Sequence, residues 1–124
     1  MRDHVASCSN YWLPRYPVTR LPGYLATALR GAAWILATNA DLRDGPEALA
    51  LAVRALLLTH SQDSATLDTL AAAYAENGRF EDAISIARTA VAAVPDQASA
   101  EAPAQASAIR RRIAQYQLGK PWRE

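Results

Sequence analysis

Ala48, Ala52 and Ala55 recur thirty-five residues later as Ala83, Ala87 and Ala90, while Leu29, Ala32, Ala33 and Leu36 recur thirty-eight residues later as Leu67, Leu70, Ala71 and Tyr74. Within each set the residues fall mostly three or four apart, the spacing of one face of an α-helix. Two different helical faces repeated in the same order define a repeated pair of helices. The two offsets differ because the inner turn of the first pair, residues 39–45, is three residues longer. A period near 35 built from two helices predicts hairpins stacked side by side, because a single hairpin cannot bury its own outer faces. The composition agrees with an all-α chain: 28 of the 124 residues are alanine, and only 5 are glycine, which argues against a sandwich or barrel.

The element boundaries follow from caps and breakers. Residues 1–23 contain Pro14, Pro17 and Pro22 among Tyr11, Trp12 and Tyr16, so no helical or alternating period survives there, and an extended aromatic arm is expected. A helical repeat domain over residues 24–118 should follow, with residues 119–124 as a tail. Its first helix starts near Tyr24 and carries Leu25, Ala28, Leu29, Ala32, Ala33 and Leu36. The second begins at Asp44-Gly45-Pro46-Glu47, where Asp44 can cap, Pro46 suits the first turn and Glu47 completes a capping-box spacing; it runs to about Thr59. Polar residues 60–63 cap a third helix over residues 64–76, and Asn77-Gly78 ends it, since glycine tolerates the left-handed backbone of a helix C-terminus. A fourth helix spans residues 80–94 before Pro95. A fifth, residues 104–118, sets Ala106, Ile109, Ile113 and Tyr116 on one side and ends at Gly119.

Leu67, Leu70-Ala71, Tyr74, Gly78, Phe80, Ala83, Ala90 and Pro95 together resemble the tetratricopeptide repeat pattern of an aromatic, Leu-Gly, Tyr, Ala, a bulky residue and Pro. The departures are Leu67 for the aromatic, Ala71 for glycine and Ala87 for the bulky residue. The resemblance covers residues 64–96 most fully, residues 25–61 less so, and fades afterwards. It implies a tetratricopeptide-like helical hairpin array of about two repeats plus a C-terminal capping helix, whose Arg110-Arg111-Arg112 side faces water, and it points to the C-terminal part of a bacterial protein of this family. It also implies a concave groove lined by the first helix of each pair. The groove residues would be Thr27, Arg30 and Trp34 from the first unit and Asp68, Ala72 and Glu76 from the second. Trp34 is the strongest anchor, since an aromatic offers much apolar contact at small entropic cost; its plainer role is packing inside the hairpin. The Lys/Asn clamp with which some family members grip a terminal carboxylate is absent, because Asp68 and Ala72 hold the matching face.

Other chemistries find little support. The net charge of +1 gives no general reason for a nucleic-acid or membrane partner. It divides unevenly: residues 1–30 and 98–124 are each +3, and residues 31–97 are −5. An acidic middle between basic ends favours self-contact or a basic ligand, or is simply a solvated surface. The single cysteine, Cys8, allows no internal disulfide and, with His4 and His60, has no metal-site spacing, so neither metal nor cofactor is expected. His60, Ser61 and Asp63 are the residue types of a nucleophilic triad, but neighbours in one loop cannot line up as base and nucleophile; capping is their expected role. Asp41, Asp44 and Glu47 lack the order of a calcium loop. Arg54 interrupts the longest apolar stretch well short of the roughly 18 residues a membrane span needs, and the N-terminus lacks the apolar core of a signal peptide.

The expectation is therefore a non-enzymatic, cytoplasmic protein-interaction or scaffolding module. It would hold a protein or peptide in the groove, with self-association as a further contact. The alternatives are the regulatory or structural C-terminal tail of a larger, membrane-bound bacterial enzyme, and an RNA-binding helical repeat, which the −5 middle section opposes.

Overall fold

The computed structural model describes residues 21–59, 63–94 and 102–124. The aromatic arm as far as residue 20, His4, Cys8, His60, Ser61 and the loose stretch before Ala102 lie outside the described residues. Those described form five helices and no strand: α1 Leu21–Thr38, α2 Gly45–Thr59, α3 Ser64–Glu76, α4 Phe80–Ala93 and α5 Ala102–Gln117. The all-α expectation holds. Two helices start earlier than their apolar periods indicate, α1 at Leu21 and α5 at Ala102. Each has a proline as its second residue, Pro22 and Pro103, where the missing N–H has no helical partner to lose. Residues 21–23 thus belong to α1 and not to the arm.

The caps are those the sequence specifies. Asp44 Oδ1 accepts the Glu47 N–H at 3.1 Å, and Asp63 Oδ1 accepts the Thr66 N–H at 2.8 Å while its other oxygen takes the Thr66 hydroxyl. A cap of this kind stabilises by about 1 kcal/mol. Gly78 has φ +79°; its N–H reaches the Ala75 carbonyl, and that of Arg79 reaches back to Tyr74, the paired bonds that close a helix through one left-handed residue. Gly119, at φ +72°, repeats the device: its N–H binds the Tyr116 carbonyl and the Lys120 N–H binds that of Gln115. Here the turn sends the chain back toward the ends of α3 and α1.

The helices pack as consecutive antiparallel pairs. α1 lies against α2, α3 lies against both, α4 lies against α3, and α5 lies against α4. The repeat visible in sequence is a repeat in burial: Ala48, Ala52 and Ala55 are completely buried, and so are Ala83, Ala87 and Ala90. A methyl side chain at each of these positions lets the helix backbones approach closely. Gly45 serves the same end at the first turn of α2. A Cβ there would meet the Asn77 side chain at 3.0 Å, and the Gly45 carbonyl accepts a hydrogen bond from Asn77 Nδ2 at 2.8 Å, pinning the start of α2 to the end of α3.

α3 is central and buried around most of its circumference, which explains its small and hydroxylated composition. Leu67, Ala71 and Ala75 join Ala83, Ala87, Ile109 and Tyr116 in one core; Leu70, Ala72 and Ala73 join Ala33, Ala37, Ala48 and Ala52 in another. The serine and threonine hydroxyls are all used: Thr66 donates to Asp63, Thr69 donates to the Ala65 carbonyl, and Ser64 accepts from Gln105 on α5. One equivalence in the repeat fails. Leu70 is buried and its counterpart Ala32 is exposed, because no described element lies on the outer face of α1, where Tyr24 and Ile35 are also exposed.

Candidate functional site

The helices that begin each pair, α1 and α3, share a face with α5, and three of the six expected groove residues meet there around the chain's own C-terminal segment. Asp68 on α3 is bound in bidentate fashion by Arg112 of α5, Nε to Oδ1 at 2.9 Å and Nη2 to Oδ2 at 2.5 Å. The Arg112 side chain is only 13% exposed. It does not face water with Arg110 and Arg111, which do. The reason is register: Arg112 lies three residues after Ile109 and four before Tyr116, on the buried stripe of α5. Its guanidinium also lies 5.1 Å from the Trp34 ring and 5.6 Å from the Trp122 ring, so it is shared between one carboxylate and two indoles.

Glu76, the last residue of α3, accepts Arg123 Nη1 at 2.6 Å. The same nitrogen donates to the Ala37 carbonyl at 3.2 Å, and the Glu124 N–H donates to the Thr38 carbonyl at 3.1 Å. Residues 120–124 therefore run without helical structure across the C-terminal ends of α3 and α1. Those ends carry the negative poles of the helix dipoles, and α1 offers its Ala37 and Thr38 carbonyls to the tail, which suits a cation.

The remaining expected groove residues are placed differently. Thr27 is exposed and Arg30 half-buried on α1, about two turns and one turn before Trp34. Ala72 is 1% exposed and belongs to the core that α3 forms with α1 and α2, so it offers no surface to a ligand. Sequence reasoning missed Arg112, Tyr116, Trp122 and Arg123 as members of the site. For Arg112 and Tyr116 a signal existed in their shared stripe with Ile109.

Burial pushes the Asp68 carboxyl above its ordinary value, and the hydrogen bond and charge of Arg112 pull it back down. Burial also drives the Tyr116 phenol far above its usual range, with the nearby Asp68 charge adding to the effect. Tyr116 is 1% exposed and its hydroxyl has no hydrogen-bond partner among the described residues. An unpaired buried hydroxyl carries a desolvation cost of about 1–3 kcal/mol. Tyr116→Phe is accordingly expected to unfold at the same or a higher urea concentration than the parent chain, and a lower midpoint would contradict an unpartnered hydroxyl.

Among the described residues no group of three His, Cys, Asp or Glu stands close enough to hold a metal ion, and no helix is long and apolar enough to cross a membrane. The site brings two carboxylates, two helix C-termini and two indoles together around Arg112 and Arg123. Fold and site define a class, an all-helical hairpin array with an aromatic-lined face of paired carboxylates and arginines. No family model, curated protein or solved structure matches the chain.

Proposed function

We propose that the chain is a tetratricopeptide-like, non-catalytic protein-interaction module that holds an extended peptide on the face shared by α1, α3 and α5. The observation that carries this reading is the seating of residues 120–124, a non-helical run bound through its main chain at Thr38 and through a side chain at Glu76 and Ala37. A surface that accepts a main-chain donor and a side chain together has what extended-peptide recognition requires. The repeat supports it further, since equivalent alanines of α2 and α4 are buried alike and stacked hairpins generate concave faces. The −5 charge of residues 31–97 opposes nucleic acid, whose phosphates need basic residues along the path.

The test is selection of a displayed library of linear peptides on the full chain. Enrichment of one consensus is expected, with binding weakened by about tenfold or more in Trp34→Ala and in Glu76→Gln. Failure to enrich any linear sequence would overturn the reading, as would a consensus whose binding ignores both substitutions.

A further inference from the structure

We infer that the surface formed by Trp34, Glu76 and the last carbonyls of α1 recognises an extended segment in which an aromatic residue is followed by arginine, and that residues 120–124 are a built-in competitor for it. The inference rests on the peptide-binding reading above and specifies the ligand.

The tail shows what the surface selects. Two helix C-termini converge there, α1 through the Ala37 and Thr38 carbonyls and α3 through Glu76, so the field at this point favours a cation. Arg123 fills it with one nitrogen bridging a carboxylate and a carbonyl, a use of its guanidinium that a neutral side chain cannot reproduce. One residue earlier, Trp122 sets its ring beside the Arg112 guanidinium, which Trp34 and Asp68 hold in place. The aromatic slot is thus built from groups of the array: a cation fixed by Asp68 and flanked by an indole.

The tail also shows why it can be displaced. Its indole N–H is buried with no hydrogen-bond partner among the described residues, an uncompensated desolvation that a better-fitted segment would avoid. Lys120 and Glu124 are exposed, and Pro121, Trp122 and Arg123 are each only half-buried. Tethering adds to the bonds of Arg123 and Glu124 and to the packing of Trp122 on the core. Joined to α5 through Gly119, the tail faces the groove at an effective concentration in the millimolar range, so an external segment must outcompete a weak but ever-present neighbour.

The experiment titrates a fluorescent peptide of the sequence of residues 118–124 against the full chain and against full-length Trp122→Ala/Arg123→Ala, in which the resident tail is disarmed. Binding is expected to be about tenfold or more tighter to the double variant than to the parent chain. It should be lost when Glu76→Gln is added, or when the arginine of the peptide becomes alanine. Equal affinity for parent and double variant overturns the proposal, as does absence of saturable binding to a double variant whose circular dichroism remains helical. Should the double variant lose its helicity, Arg123→Ala alone, which keeps the Trp122 ring, is titrated in its place with the same two outcomes. A parent chain that sediments as a dimer and becomes monomeric on Arg123→Ala would seat the tail in a second copy and overturn the intramolecular competition. Enrichment of library peptides lacking an aromatic–arginine pair would sink this inference and leave the peptide-binding reading standing.

Discussion

Arg112→Ala is expected to destabilise the fold by about 3–5 kcal/mol, the range for removing one member of a buried ion pair. The loss has several sources. Asp68, 8% exposed, would keep its charge without a partner, and the guanidinium contacts with Trp34 and Trp122 would vanish with the side chain. The pH dependence carries a definite sign. Burial already raises the Asp68 carboxyl above its ordinary 3.8, and removing Arg112 deletes the groups that lower it, so its folded-state pKa rises further above the unfolded value. A group shifted in that direction costs stability above its folded pKa and ceases to do so once both states are protonated. The deficit of Arg112→Ala relative to the parent should therefore be largest at neutral pH and shrink as pH falls toward 3.8. Denaturant melts at several pH values measure it, and a deficit that grew in acid would refute the ion-pair account. Asp68→Leu with Arg112→Met should recover most of the loss, because an apolar pair of similar volume removes the uncompensated charge.

Ala52→Leu and Ala87→Leu should each cost at least about 1–3 kcal/mol, and by similar amounts, although they lie in different hairpins. Both methyls are completely buried where helices approach, and three added carbons at either place must push backbones apart. Equality is the informative part. If the structural repeat is real, positions thirty-five residues apart occupy equivalent environments; a harmless Ala52→Leu beside a disruptive Ala87→Leu would show that they do not. Thermal or urea unfolding of the two single variants decides it.

Local chemistry made much of this fold legible. Asp44, Asp63 and the Asn77-Gly78 pair set helix ends through bonds that span three to five residues, so their neighbours in sequence suffice to identify them. The alanine sets were legible because a helical face repeats within a single element. The starts at Leu21 and Ala102 were not, since a proline in a first turn reads as a break when apolar period alone is followed. The site was only half legible. Trp34, Asp68 and Glu76 meet around Arg112 and Arg123, whereas Ala72 is buried because α3 is flanked on both sides by other helices. Arg112 was hidden by company: in a run of three arginines only the one in register with Ile109 and Tyr116 turns inward, and composition weighs the three alike. Nothing near Arg123 foretells its partner, which lies 47 residues away at Glu76. A short run without periodicity takes its path from the surface it lands on.

The left-handed turn at Gly119 divides the molecule into parts that can come loose on different clocks. Because one residue's backbone angles direct everything after it, residues 120–124 can lift away while α5 keeps Ile109 and Tyr116 in the core. The amide of Glu124, tied to the Thr38 carbonyl, should then trade its hydrogen for solvent deuterium far sooner than the amides in the middle of α5, with no unfolding of the rest.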